Sequence, residues 1–193
     1  DNGGASYHHI PQENLPYRGW KTTYFEGGVH VPFFIRWPAR IPAGSMVPGI
    51  ASSLDLFATF VAAAGGQLPA DREYDGLDLT PAITGKAGPD ALRERALFWR
   101  KGDYRMVRSG NWKLQTIDDP KAVWLFDLAT DPTERFNLAP VMPEKVMELK
   151  ALYAEREKKY VVPAWPATAR TRINVDGHPP VIGGQVEYVE WMN

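Results

Sequence analysis

Apolar positions recur with helical spacing in the segment "SSLDLFATFVAAAGG" of the first half of the chain. One stripe of this helix is formed by Leu54, Phe57, Ala58 and Val61. Gly65 follows the stripe and is suited to end a helix, because glycine adopts the left-handed backbone conformation without strain. The pattern predicts one amphipathic helix that buries this stripe.

Two shorter patterns flank that helix. The run "VHVPFFIRWP" (29–38) is rich in β-branched and aromatic residues and is bounded by Gly28 and Pro38, so it predicts a buried strand. The run "DGLDLTPAITGK" predicts a turn followed by a short helix that ends at Gly85.

The pattern changes from helical to β-prone near residue 90. Four short runs, "RALFWR", "YRMVRSG", "NWKLQTI" and "AVWLFDL", are separated by the turn formers "KGD", "SGN" and "DDPK". Connections this short join antiparallel neighbours. We therefore expect a four-stranded antiparallel meander over 95–128.

A last helix is predicted over 143–159. Pro143 is favoured at the first helical position. The expected buried face consists of Val146, Leu149, Leu152 and Tyr153. Residues 160–193 are rich in proline and show little periodicity, so an irregular tail is expected there.

Composition and charge exclude several classes of protein. The 193 residues carry 22 Lys and Arg against 23 Asp and Glu, so no basic field indicates binding to nucleic acid. No apolar run approaches the roughly 20 residues that a membrane span needs. Cysteine is absent, which excludes disulfides, thiolate metal sites and a cysteine nucleophile.

Two short stretches carry candidate chemistry. Asp1 and Asn2 open "DNGG" with hard oxygen ligands suited to Ca²⁺ or Mg²⁺, although most such sequences are plain turns. Lys21 precedes Glu26-Gly27-Gly28 by five residues, and near a metal it would bind a sulfate or phosphate oxygen. Taken alone, Lys21 is better interpreted as a solvated loop lysine.

The order of the blocks is more specific than any one of them. "DNGG", "NLPYRGWK", "EGGVHVPFFIRWPARIPAG", "SSLDLFATFVAAAG" and "DGLDLTPAITGK" are followed by "GNWKL" and "LFDLATDPTE". Over residues 1–140 this order resembles the C-terminal half of an arylsulfatase-like sulfatase of the alkaline phosphatase superfamily. The resemblance implies an α+β or α/β fold. Residues 1–90 would end the catalytic α/β domain, and 91–193 would form a subdomain with the antiparallel sheet and a packed helix.

The resemblance also implies roles for individual residues. Asp1 and Asn2 stand where the family binds Ca²⁺ or Mg²⁺, and Lys21 stands where it binds the sulfate of an aryl or carbohydrate sulfate ester. Arg18 and Glu26 would brace the loop of Lys21. His8 and His9 follow the metal turn and could line a substrate pocket or assist the leaving group, although loop histidines are more often merely exposed.

The sequence departs from the family at the nucleophile. The family makes a formylglycine from Cys or Ser in a Cys/Ser-x-Pro/Ala-x-Arg motif, and the five serines of this chain all lack that context. We therefore expect a fragment that lacks its N-terminal part and is inactive alone. Two alternatives stay open: a phosphonate monoester or phosphodiester hydrolase of the same superfamily, and a non-catalytic binding module.

Overall fold

The structure is a computed structural model, and it describes residues 3–5, 13–88, 90–118 and 121–165, together with the backbone of 169–173 and 188–192. The chain forms two compact units. One unit combines Asp1–Phe33 with Ala96–Asn193, and the other is Phe34–Arg95.

The first unit is built on a four-stranded antiparallel sheet. Its strands are β1 (Ala96–Lys101), β2 (Tyr104–Ser109), β3 (Trp112–Ile117) and β4 (Ala122–Asp127), in the order β1-β2-β3-β4. Gly102 and Gly110 adopt positive φ angles of 60° and 57° in the tight turns after β1 and β2, where glycine is the least strained residue. The predicted meander is confirmed.

Both faces of this sheet are covered. Successive side chains of a strand point to opposite faces, so Leu114 and Gln115 of β3 lie on different sides. Leu114 packs on the side of the C-terminal helix in a cluster with Val107, Leu125, Leu149 and Tyr153. The other face packs against the segment 18–30 in a second cluster formed by Trp20, Phe25, Tyr104, Ile117, Trp124, Phe126 and Leu128. Segment 18–30 is therefore packed on this face of the sheet.

The C-terminal helix α4 spans Pro143–Glu157 and begins at the predicted proline. Leu149 and Tyr153 are buried against the sheet, as predicted. Leu152 was expected on the same face but is 36% exposed. It is one residue from Tyr153, and a rotation of about 100° per residue carries it to the edge of the contact.

Two further strands follow α4 in the first unit. β5 (Ala169–Ile173) pairs antiparallel with β6 (Tyr188–Met192). The sequence analysis anticipated only an irregular tail here, because neither strand has an alternating apolar pattern strong enough to stand out. The pairing of the two backbones supplies the order that the sequence pattern did not indicate.

The second unit contains the helices α2 (Asp55–Ala63) and α3 (Thr80–Ile83), and both predicted helices are confirmed. Gly65 and Gly85 have positive φ angles of 75° and 73° after these helices. The core of the unit consists of Leu79, Ile83 and Leu92.

The face that α2 buries differs from the predicted one. Ala58 is buried, but Leu54 and Phe57 are 51% and 57% exposed. The buried side of the helix instead includes Asp55 and Thr59, which hydrogen-bond to the segment leading into α3. Buried polar contacts therefore orient this helix, and the apolar stripe does not.

The predicted buried strand at 29–38 is wrong. The short helix α1 (Glu26–Val29) takes its first residue, and residues 30–37 pair with no described strand. Phe34 is 89% exposed. A strand needs a neighbour that satisfies its backbone groups, and the described residues supply none.

The grouping of contacts differs from the predicted division at residues 90/91. Asp1–Phe33 group with Ala96–Asn193, because Trp20 and Phe25 pack on the sheet. The assignment of residues 1–90 to the end of a catalytic domain, and of 91–193 to a subdomain, stays a prediction.

Candidate functional site

The two glycines of the opening "DNGG" lie against the segment that carries Lys21. The backbone N–H of Lys21 donates a hydrogen bond to the carbonyl of Gly4 at 2.9 Å. Gly3 has a φ of +81°, and a Cβ atom there would lie 2.3 Å from the carbonyl oxygen of Gly27. Only glycine allows so close an approach of two backbones. The turn after Asp1 and Asn2 is thus adjacent to the predicted sulfate-binding lysine.

Asn14 fastens this contact. Its Oδ1 accepts the N–H of Gly4 at 2.7 Å, and its Nδ2 donates to the carbonyl oxygens of Gly4 at 3.1 Å and Gly19 at 3.3 Å. The side chain therefore joins the glycine turn to the loop before Lys21. The sequence analysis did not find Asn14, because an asparagine in "QENLP" looks like any turn residue.

The loop of Lys21, which is the first part of segment 18–30, is fixed on both sides of the lysine. Trp20 and Phe25 are buried, with 3% and 0% exposure, in the cluster on the sheet. The N–H of Gly27 donates to the carbonyl of Arg18 at 2.7 Å. Lys21 itself is half-buried at the turn between these anchors. Because this turn is already anchored, its backbone loses little conformational entropy when Lys21 binds an anion.

Glu26 is buried, and Lys113, His30 and Arg108 surround its carboxylate. Its carboxylate lies 2.8 Å from Lys113 Nζ, 3.0 Å from His30 Nδ1 and 3.7 Å from Arg108 Nη1. Burial by itself raises the pKa of Glu26, but the Lys113 ammonium and the hydrogen bonds from His30 and Lys113 outweigh it and lower the pKa to about 2. The group is ionised at neutral pH.

Arg18 contacts a second buried carboxylate residue, Glu134. Its Nη1 donates to the backbone carbonyl of Glu134 at 3.4 Å, and its guanidinium lies 4.5 Å from the centre of the Phe25 ring. Arg18 therefore connects the Lys21 loop to the turn after the sheet, and Glu26 connects it to the sheet and to the same turn.

Comparison with known proteins places the chain in a family. The model of the C-terminal region of N-sulphoglucosamine sulphohydrolase matches residues 18–159, which include the Lys21 loop, the whole sheet and α4. The chain belongs to this family. It corresponds to the C-terminal portion of a sulfatase, as the order of the sequence blocks predicted.

Relatives of this sulfatase chain are longer proteins. N-acetylgalactosamine-6-sulfatase of Canis lupus familiaris is 33% identical over 201 residues, covering 86% of this chain and 38% of that protein. Arylsulfatase A of Bos taurus is 36% identical over 161 residues, covering 68% and 31%. The chain thus spans about 38% of the length of the first of these relatives.

Solved structures agree with the fold. A structure from glycosaminoglycan metabolism by Bacteroides thetaiotaomicron has a TM-score of 0.64 and 26% identity, and the match covers 74% of this chain and 32% of that one. A protein solved in complex with its substrate, D-glucosamine-2-N,6-O-disulfate, has a TM-score of 0.53 and 25% identity over 64% and 27% of the two chains. The predicted fold class is confirmed.

Four of the predicted site residues lie outside the described residues of the sulfatase chain: Asp1, Asn2, His8 and His9. Among the residues that the structure does describe, no three His, Asp or Glu side chains cluster so that they could hold a metal ion. Asp1 and Asn2 offer hard oxygen ligands of the kind that Ca²⁺ and Mg²⁺ take, and the turn that follows them is packed beside Lys21. The donor types therefore fit such an ion, with further ligands needed to complete its shell.

Lys113 and Glu134 were also missed by the sequence analysis. "NWKL" reads as a strand with an outward lysine, and "TDPTE" reads as a turn. The alternation of side chains along β3 offers one signal, because Lys113 shares its face with Gln115 and Ile117, and all three are buried.

Within the described residues no helix is long and apolar enough to cross a membrane.

The depressed pKa of Glu26 predicts a pH dependence of stability. Its pKa is lowered from 4.5 to about 2, so ionised Glu26 stabilises the fold above pH 4.5, and this contribution is lost as the pH falls towards 2. We expect Glu26→Gln to be less stable than wild type by about 3 kcal/mol at pH 6, and the difference to shrink below pH 4.

Urea unfolding of both proteins at a series of pH values measures this difference. Glu148→Gln is the control, because Glu148 pairs with Lys145 on an exposed part of α4. A wild-type-to-variant difference for Glu26 that stayed constant from pH 6 to 2 would contradict the stabilising role of its charge.

Proposed function

We propose that this chain is the C-terminal portion of a sulfuric ester hydrolase in which Lys21 binds the sulfate group of the substrate. The observation that carries the proposal is the contact of the Gly3–Gly4 turn with Lys21 and Gly27. That contact brings the residues next to Asp1 and Asn2 to the loop of the lysine. This contact supports, for Asp1, Asn2 and Lys21, the single site that the family resemblance implies.

Each residue has a defined role in the proposal. Asp1 and Asn2 contribute ligands to a Ca²⁺ or Mg²⁺ ion, which when bound would polarise the sulfate oxygens. Lys21 places a positive charge where negative charge develops on the sulfate oxygens. Arg18 and Glu26 keep the lysine loop against the sheet. The nucleophile, a formylglycine by family resemblance, is supplied by a part of the enzyme outside this sequence.

The proposed substrate is a sulfate ester of a carbohydrate. The supporting names are those of the relatives, among them N-acetylgalactosamine-6-sulfatase and a protein solved with D-glucosamine-2-N,6-O-disulfate. Aryl sulfates serve as chromogenic test substrates for the same chemistry. Phosphonate monoesters are the competing substrate class, since a lysine and a divalent ion can bind either anion.

This proposal predicts that the 193-residue chain alone does not turn over a chromogenic aryl sulfate. A lysine and a metal without a nucleophile lack most of the catalytic machinery. The rate with the purified chain should equal that with its Lys21→Ala variant. The longer protein that contains this chain should hydrolyse the sulfate ester faster than the matched phosphonate ester.

Three results would revise the proposal. Turnover by the chain alone, above the Lys21→Ala control, would place a nucleophile within these 193 residues. A faster rate on the phosphonate ester would assign the competing substrate class. An inactive longer protein that nevertheless binds a sulfated oligosaccharide in calorimetry would identify a binding module.

A further inference from the structure

A buried cluster of charges lies under the Lys21 loop. Lys113 Nζ is 2.8 Å from Glu26 Oε1 and 2.9 Å from Glu134 Oε1, and the three side chains are 0–3% exposed. Gln115 Nε2 donates to Glu134 Oε1 at 3.3 Å, and Tyr104 donates to Gln115. The cluster joins three segments that are distant in the sequence.

Burying such a cluster in a core has a large desolvation cost. Removing an ammonium and two carboxylates from water costs several kcal/mol per ion, and apolar residues of similar size often give equal or greater stability. Burial raises the pKa of Glu134 against the opposing effect of Lys113, so part of this cost is not offset. The network stabilises ionised Glu26 but not ionised Glu134, so the geometry that it imposes explains it better than stability alone.

That geometry concerns the segment around Lys21. Glu134 accepts the backbone N–H of Glu26 through its carboxylate, and its own backbone carbonyl accepts Arg18. Lys113 Nζ donates to the Glu26 carboxylate. Glu26 is therefore held through both its backbone and its side chain. Arg18 and Glu26 flank Lys21 by three and five residues, so the network fixes the loop on both sides of the lysine.

Glu134 is itself locked in place. It is fully buried, and its φ of 57° lies in the left-handed region, which costs energy for a residue with a side chain. Its N–H donates to the carbonyl of Asp131 at 3.2 Å, within the turn "TDPTE". A strained residue held in one conformation makes a rigid support for the loop above it.

We propose that Lys113 and Glu134 are positioning residues that hold the Lys21 loop in its anion-binding geometry. This role rests on the proposed function of Lys21. The two motifs that carry them, "GNWKL" and "TDPTE", thereby act on the site without touching the substrate. A side chain that acts only through Lys21 should lose its effect when Lys21 is absent.

The first experiment measures hydrogen exchange in the 193-residue chain. The reporters are the amides of Lys21 and Gly27, which donate to the carbonyls of Gly4 and Arg18, and those of Leu149 and Tyr153 in α4. Lys113→Met should speed exchange at the loop reporters at least tenfold more than at the helix reporters. Lys150→Met is the matched control, because Lys150 is exposed on α4, which covers the opposite face of the sheet.

Glu134→Gln is the second variant, since it keeps the shape of the side chain but removes its charge and replaces one acceptor oxygen by a donor group. It should give the same ordering of loop and helix reporters if Lys113→Met does not fold. Equal acceleration at all four reporters in both variants would mean that the cluster stabilises the whole unit and does not position the loop.

The second experiment is a double-variant cycle on kcat/KM for a sulfate ester, in the longer protein. Lys113→Met alone should lower kcat/KM at least tenfold, and adding it to Lys21→Ala should cause no further loss. If the losses in kcat/KM caused by the two substitutions instead multiply in the double variant, the positioning role is wrong. If Lys21→Ala alone has no effect, the proposed function fails instead, and the hydrogen-exchange ordering then decides the positioning role separately.

Discussion

Replacing Asp55 by alanine should unfold the compact unit Phe34–Arg95. Asp55 is fully buried and accepts four hydrogen bonds: from Arg95 Nη1 at 2.6 Å, Arg95 Nη2 at 2.9 Å, the Ser52 N–H at 2.7 Å and the Leu77 N–H at 2.8 Å. The substitution leaves Arg95, whose side chain is 8% exposed, as an unpaired charge. Breaking a buried ion pair in this way costs about 3–5 kcal/mol.

The size of the effect follows from the small core of this unit. Leu79, Ile83 and Leu92 are its buried apolar cluster, so a loss of several kcal/mol is a large part of what holds it together. Hydrogen exchange in the whole chain should show lost protection at Gly66 and Ile83, whose amides are hydrogen-bonded in the wild type. Protection at Leu114 in the sheet should persist.

Asp71→Ala is the matched control for Asp55→Ala. Asp71 also makes two hydrogen bonds to an adjacent arginine, Arg72, but both side chains are more than 60% exposed. Exposed pairs of this kind contribute little to stability. If Asp71→Ala reduced protection at Gly66 and Ile83 as much as Asp55→Ala, burial of the Asp55–Arg95 pair would not explain the loss of stability.

Replacing Lys21 by alanine should lower kcat/KM for a sulfate ester by about 10²–10³-fold in the longer protein that contains this chain. The loop around Lys21 is anchored by Trp20, Phe25 and the hydrogen bond to Gly4, and none of these contacts involves the Lys21 side chain. Because alanine removes the charge and leaves this backbone intact, the loss should appear without a change in stability.

Steady-state kinetics together with thermal unfolding tests this prediction. Lys86→Ala is the control, since Lys86 is an exposed lysine that follows α3 in the other compact unit. An equal, small effect of both substitutions on kcat/KM would remove Lys21 from the substrate site. A large loss accompanied by unfolding would assign Lys21 a structural role.

The local elements could be predicted because their signals are local. Turn formers two to four residues long separate the four β-prone runs, and an antiparallel neighbour is the partner that such a turn makes available. The helix from Pro143 carries both its start signal and its apolar spacing within 15 residues. The same holds for the order of the motif blocks, which was sufficient to indicate the sulfatase family.

The errors occurred where an element depends on a distant partner. "VHVPFFIRWP" has the composition of a buried strand, yet composition alone cannot supply the neighbour that a strand needs. The apolar stripe of α2 has helical spacing, yet the helix is oriented by the buried hydrogen bonds of Asp55 and Thr59. In both cases a long-range contact decided against the local pattern.

The sequence by itself determined the meander, the helices α2, α3 and α4, and the family, and it offered candidate residues for a sulfate site. Only the tertiary structure decided that the Gly3–Gly4 turn lies on the Lys21 loop, and that Lys113 and Glu134 support this loop from the sheet and the turn after it. Glu26 and Lys113 are 87 residues apart, and Glu26 and Glu134 are 108 apart. Contacts over such separations leave no periodic signal in one sequence, because they depend on how the chain folds back on itself.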